Sequence, residues 1–171
     1  MTAQKISPRT IALCAVLAAL ALIFSYIEAV LPLSGQIPGV KLGIANLVIL
    51  TVLYTLGFPY ALFVNVVRIL TAGLLFNGLF GALYSLSGAL LSLVGMFLLK
   101  KAGCFSVIGV SMAGGVLHNA GQLLIAALLV SNVKMFYYFP VLLWSGLASG
   151  ILIGLVTYWI LKKLPSSLFR I

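Results

Sequence analysis

The sequence predicts an all-α membrane protein of six transmembrane helices with both termini in the cytoplasm. Three observations predict it. Of 171 residues, 64 % are apolar and only 6 % charged, whereas a soluble domain is about a quarter charged and roughly half apolar. The apolar residues fall into long runs separated by short turn signals. The ten Lys and Arg punctuate those runs unevenly, against a single acid, Glu28.

A bilayer core of about 30 Å takes roughly 20 apolar residues per helix. Such runs lie near 11–31, 42–57, 60–79, 81–99, 105–130 and 137–161. The first follows Lys5 and Arg9 and ends in Glu28 and Pro32. It is long and lacks a small-x-small exit, so it reads as a retained helix and not as a signal peptide. Pro32 to Pro38 interrupts the chain before the second run, the shortest of the six. Gly57-Phe58-Pro59, Asn77-Gly78, Lys100-Lys101-Ala102-Gly103 and Ser131-Asn132 mark the remaining breaks. One integral membrane domain, 1–171, accounts for the chain.

Cytoplasmic loops carry the excess of Lys and Arg. With the N-terminus inside, Lys5, Arg9, Lys100, Lys101, Lys162, Lys163 and Arg170 are cytoplasmic, against Lys41 and Lys134 outside and Arg68 within a span. Seven against two sets the orientation. Tyr54, Tyr60, Tyr158 and Trp159 then fall at the inner interface and Tyr137 and Tyr138 at the outer one, as aromatic belts require.

The missing residue types exclude chemistry. The chain has no Asp and one His, so neither a pair of catalytic carboxylates nor a multi-ligand metal site is available, and no cofactor is expected. Cys14 and Cys104 lack C-x-x-C spacing and read as free thiols. The net charge of +9 is scattered between apolar runs and marks topology, not a nucleic-acid surface. The chain is not expected to be an enzyme.

Within lipid, helices associate through small residues that let backbones approach. The last run has Gly146, Gly150 and Gly154, the fourth Gly81, Ser85, Gly88, Ser92 and Gly95, and the first Ala12, Ala15 and Ala19. The first two stripes read as internal packing. The alanine stripe is a candidate docking face for another protein's helix.

Charges at mid-bilayer cost about 2.5–3.5 kcal/mol on insertion scales, so they need a partner or an aqueous cavity. Here the exceptions are few: Glu28 near the outer end of the first span, Lys41 and Asn46 at the start of the second, Arg68 in the third with Asn65 on its face, and His118, Asn119 and Gln122 in the fifth. Tyr84, Ser85 and Ser87 add hydroxyls from the fourth. All of these fall in the outer half or near the midplane, where they would line a cavity open to the outside beneath the loop Pro32 to Gly39. With Arg68 and Lys41 outnumbering Glu28, the cavity favours an anionic, partly apolar solute. The opposite reading is structural: Glu28 neutralises Arg68 or Lys41, and the amides bridge helices by hydrogen bonds worth about 0.6 kcal/mol each.

The segments Glu28…Pro32…Pro38-Gly39-Val40-Lys41-Leu42-Gly43-Ile44-Ala45-Asn46, Arg68, Leu83-Tyr84-Ser85-Leu86-Ser87-Gly88 and His118-Asn119-Ala120-Gly121-Gln122 carry a family likeness. Over nearly its whole length the chain resembles the Gx transporter family, also labelled heptaprenyl diphosphate synthase component I. That family is similar to the substrate-binding S components of energy-coupling factor (ECF) transporters. The resemblance implies a six-helix component that captures a solute outside and docks through Ala15 and Ala19 on a transmembrane coupling protein driven by two ATPases. The synthase label implies a different use. A prenyl diphosphate synthase holds diphosphate through Mg²⁺, a hard cation that takes carboxylate oxygens, and a chain with one Glu and no Asp cannot be its catalytic subunit. It also has no G-x-x-x-x-G-K-[ST] phosphate loop, so ATP-driven work requires a partner.

Three functions follow from these residues. The first is a solute-binding transport component with Glu28, Lys41, Asn46, Arg68, Tyr84, His118, Asn119 and Gln122 at its site, for a small vitamin-, quinone- or isoprenoid-related molecule. The second is a non-catalytic accessory subunit of prenyl diphosphate, quinone or redox machinery, with a structural polar cluster. A third, an autonomous secondary transporter, would couple through a proton on His118 or Glu28.

Overall fold

In the computed structural model, which describes residues 8–31 and 42–165, the chain is helical, with no strand among the described residues. Helix α1 spans Pro8–Val30, α2 Ile44–Thr55 and α3 Phe58–Ala72; a π turn, Gly73–Asn77, leads into α4, Gly78–Ala102. Then come α5, Val107–Val130, a 3₁₀ turn, Val133–Tyr138, and α6, Phe139–Lys163. Lys5, Arg170, Lys41 and the loop Pro32 to Gly39 lie outside the described residues.

Four helical stretches are long and apolar enough to cross a membrane: Pro8–Val30, Phe58–Ala102, Val107–Val130 and Val133–Lys163. This fits a multi-pass membrane protein. The second stretch is 45 residues, about 68 Å if straight, far beyond one bilayer. It is not straight, because α3 and α4 pack on each other. The reversal lies at Gly78, whose φ of 67° is open to glycine at little cost. The expected second span differs most: α2 has 12 residues, about 18 Å, which by length is short of a crossing. It is instead the most enclosed helix. Every residue from Val48 to Leu53 is buried, and α1, α3 and α6 surround it.

The α4–α5–α6 interfaces are built of small residues, and many large ones face outward. Leu74, Tyr137 and Trp144 are 89, 86 and 71 % exposed, an arrangement suited to lipid and not to water. Helix α5 packs most extensively, on α6 and α4, and the glycine stripes explain how. A Cβ on Gly150 would stand 2.6 Å from Met112 Cα, one on Gly146 2.9 Å from the Gly115 carbonyl, and one on Gly121 2.8 Å from Gly88 Cα. These helices meet backbone to backbone, as small-residue stripes allow in lipid. The α1 stripe behaves differently. Thr10, Cys14, Ala18, Ala21 and Ser25 form the buried face, and Ala12, Ala15 and Ala19 are exposed.

The ends of the helices carry their own fasteners. Lys100, in the last turn of α4, donates Nζ to the Leu53 carbonyl at 2.7 Å and lies over the Tyr54 ring, serving the unpaired carbonyls where α2 ends. Ser106 caps α5 by accepting from Gly109 N–H at 3.1 Å. Cys14 is a buried and Cys104 an exposed free thiol.

Backbone approach at Gly150 leaves no rotamer to relieve an added side chain. Gly150→Val is expected to destabilise the protein by about 1–3 kcal/mol, read as a lowered unfolding midpoint in detergent. Ala148→Val, on the exposed face of the same helix, is expected to leave the midpoint unchanged.

Candidate functional site

The site begins with Arg68. Three turns into α3, it is 9 % exposed, a guanidinium inside an apolar bundle. Its Nη2 donates to Oδ1 of Asn65, one turn earlier, at 2.7 Å, and its Nη1 donates to Ser25 Oγ on α1 at 2.9 Å. Ser25 in turn donates to the Ala21 carbonyl at 3.0 Å, which fixes its oxygen as an acceptor for the arginine. Arg68 Nε is buried and has no hydrogen-bond partner among the described residues. Among the described residues, neutral oxygens alone therefore meet the charge at contact distance.

Glu28 lies one helical turn beyond Ser25, on the same side of α1. Its carboxylate accepts from the Gly43 N–H at 2.6 Å. Gly43 is the N-cap of α2 and has φ 72°, a conformation that an L side chain rarely adopts. A carboxylate at this position satisfies an orphan backbone donor and meets the positive end of the helix dipole. Glu28 thus ties the end of α1 to the start of α2 and forms no ion pair with Arg68.

Both groups line one cavity of about 400 Å³, within the range of small-molecule sites. Asn46, His118 and Asn119 line it with them, and so do Ser25, Ser85, Ser111 and Ser149. Leu31, Leu42, Phe76 and Ile153 give it apolar wall. The hollow runs from the adjoining ends of α1 and α2 to the middle of α5 and α6. Asn119 has a second duty: its amide nitrogen donates to the Leu142 carbonyl at 2.8 Å and to Ser145 Oγ at 3.2 Å, joining α5 to α6. The helix-bridging reading therefore holds for Asn119 even as it lines the cavity.

Of the residues expected at the site, the structure brings together Glu28, Asn46, Arg68, His118 and Asn119. Two are corrected. Tyr84 is not on the cavity wall; its neighbour Ser85 is, since one residue turns a helix by about 100°. Gln122 shares a helix face with His118, yet its Cγ lies over Gly88, within 2.9 Å of where a Cβ there would stand. The gap that Gly88 leaves on α4 accommodates the Gln122 stem. Lys41 lies outside the described residues.

Sequence reasoning missed Ser25, Ser111, Ser149, Phe76 and Asn77. Two signals were present: Ser25 precedes Glu28 by three positions and Ser111 precedes His118 by seven, both helical spacings. Phe76 and Asn77 had no such signal. The π turn adds a residue to the helical register, a feature frequent at functional sites, and both its last residues line the hollow. Phe76 packs edge-on against Tyr26, with ring centroids 5.6 Å apart. Among the described residues no group of three His, Cys, Asp or Glu stands ready to hold a metal.

The sequence model of the family described as heptaprenyl diphosphate synthase component I matches residues 17–160. That is most of the chain, and the chain belongs to this family. No curated protein and no solved structure matches it.

The two partners of Arg68 allow a direct test of how its charge is held. Asn65→Leu leaves a buried guanidinium short of an acceptor and is expected to cost about 1–3 kcal/mol. Arg68→Met removes the charge with it, and is expected to be neutral or stabilising. Unfolding midpoints of the two variants in one detergent check both signs.

Proposed function

We propose that this member of the heptaprenyl diphosphate synthase component I family is the solute-binding subunit of an ATP-driven uptake transporter in the cell membrane. It is not itself an enzyme. The chain crosses the bilayer six times, with α2 as a short, protein-enclosed span and both termini in the cytoplasm. The cavity faces the outside and takes a small, anionic, partly apolar molecule, of vitamin, quinone or isoprenoid type.

One observation carries this reading: a mid-helix arginine that is cushioned by Ser25 and Asn65 and not by a carboxylate, on the wall of a 400 Å³ hollow. A charge retained only for structure would be expected to neutralise the one acid available, because charges within membrane segments pair by default. Arg68 keeps its charge uncommitted at contact distance, and a solute anion can supply what the protein omits.

The exposed Ala12, Ala15 and Ala19 support a docking role for α1. Three small side chains on an outward face offer a neighbouring helix the close approach that lipid-embedded helices use. The proposed occupant is a transmembrane coupling protein that carries two ATPases.

The family description favours a second reading, an accessory membrane subunit of prenyl diphosphate or quinone synthesis. The two agree that the catalytic carboxylates belong elsewhere. They differ over the cavity, which has a solute in the first reading and no required occupant in the second.

Mild extraction followed by mass spectrometry separates them. A small anion is expected to co-purify with the native protein and to be lost from Arg68→Met, with the unfolding midpoint kept or raised. Ala15→Leu with Ala19→Leu is expected to keep the solute and lose the ATPases. A folded Arg68→Met that retains the solute overturns the assignment of the site, and ligand-free protein that captures a prenyl diphosphate synthase establishes the second reading.

A further inference from the structure

The lysines at the far end of the bundle have no acidic side chain of their own chain to neutralise them. Glu28 is the single acid, and it lies near the C-terminal end of α1, at the opposite end. Lys100 and Lys101 close α4 and Lys162 and Lys163 close α6. Two of the four are held over aromatic rings. Lys100 Nζ lies 4.9 Å from the Tyr54 ring centre and Lys162 Nζ 5.8 Å from that of Trp159. Lys100 spends one of its three donors on the Leu53 carbonyl, which leaves the rest of its ammonium for another acceptor.

The two rings that hold these ammoniums also line a second hollow, of about 520 Å³, with Phe105, Ile108, Leu155 and Tyr158. Ser106, its one short polar side chain, is already engaged in capping α5. The trough is thus apolar and aromatic, and the cations at its edge come from two different helices. A soluble anion would answer the lysines and leave the trough uncovered. A neutral lipid would cover the trough and leave the lysines without counter-charge. Only an anionic amphiphile meets both.

We propose that this groove is a binding site for an anionic glycerophospholipid of the leaflet on the lysine-rich side. Lys100 and Lys162 neutralise its phosphate, and one acyl chain lies along Tyr54, Phe105, Tyr158 and Trp159. The ring contacts and the Leu53 bond hold the ammoniums in place beforehand, so little side-chain freedom is lost on binding. A lysine beside an anionic lipid surface strengthens association by about fivefold, and two act here on one headgroup. The site is independent of whatever occupies the cavity at the other end.

Trp159 is a built-in reporter. The chain has two tryptophans, and Trp144 lies near the start of α6, at the other end; Trp144→Phe leaves Trp159 alone. This variant is reconstituted in bilayers that contain phosphatidylglycerol or phosphatidylcholine with the same brominated acyl chains, and fluorescence quenching gives the relative association of the two. The expected result is a preference of roughly 25-fold for phosphatidylglycerol. Lys100→Gln with Lys162→Gln is expected to bring it within about twofold of parity. Lys101→Gln with Lys163→Gln, an equal loss of charge off the rings, is expected to leave it nearly intact, and the paired Lys→Arg changes at 100 and 162 to preserve it. Equal quenching by both lipids overturns the proposal. So does an equal loss in the two Gln pairs, which would mean surface potential without a site, or no quenching by either lipid, which would mean that a protein segment covers the groove.

Discussion

A guanidinium buried in an apolar helical bundle is the constraint around which the upper half of this protein is arranged. Removing such a charge from water costs several kcal/mol even after relaxation, and a chain with one carboxylate has little to offset it. The offset comes in pieces. Asn65 contributes an amide oxygen from the same helix, and Ser25 contributes a hydroxyl oriented by its own bond to Ala21. Glu28 instead holds the N-terminus of α2 through Gly43. That choice keeps the two charges apart on a common wall. It also couples them mechanically, since Ser25 and Glu28 are one turn apart on α1 and anything that shifts this helix moves both.

Packing in the bundle follows a different rule from packing in water. Because lipid tails are as apolar as leucine, helices gain little by burying large side chains against each other. Many large residues are accordingly turned outward, and Gly115, Gly121, Gly146 and Gly150 let α4, α5 and α6 touch through their backbones. This makes α5 the fixed member: held on α4 and α6 at once, it presents Ser111, His118 and Asn119 at set heights along the cavity. The α1 side is less committed, with its alanine stripe uncovered.

Much of this was legible in the sequence. Composition and run length gave the membrane class, and Gly57, Asn77-Gly78, Gly103 and Ser131 marked breaks that the backbone uses, four of these five residues with positive φ. Arg68 with Asn65, together with Glu28, Asn46, His118 and Asn119, stood out because polar residues at depth are costly enough to need a reason. Rotational detail was not legible. Whether Tyr84 or Ser85 faces the hollow depends on where α4 begins after a π turn, and no propensity reports an extra residue in a helical register. Gln122 was misplaced for a related reason: helical spacing defines a face, but the empty space beside Gly88 decides which side chain of that face it admits. The length of α2 was hidden by its composition, since Leu42 and Leu56 extend the apolar run beyond the helix.

The short α2 opens onto the cavity. Helices α1, α4, α5 and α6 run 23–25 residues, about 35–38 Å, and α2 provides about half of that. Where it is present, it fills the centre of the bundle with Val48, Ile49, Leu50, Val52 and Leu53. Its first residues open onto the hollow: Gly43, Ala45 and Asn46 line the wall, and so do Leu31 and Leu42. Starting the helix at Ile44 leaves the Gly43 N–H to be met by a side chain, and Glu28 is the residue that answers it.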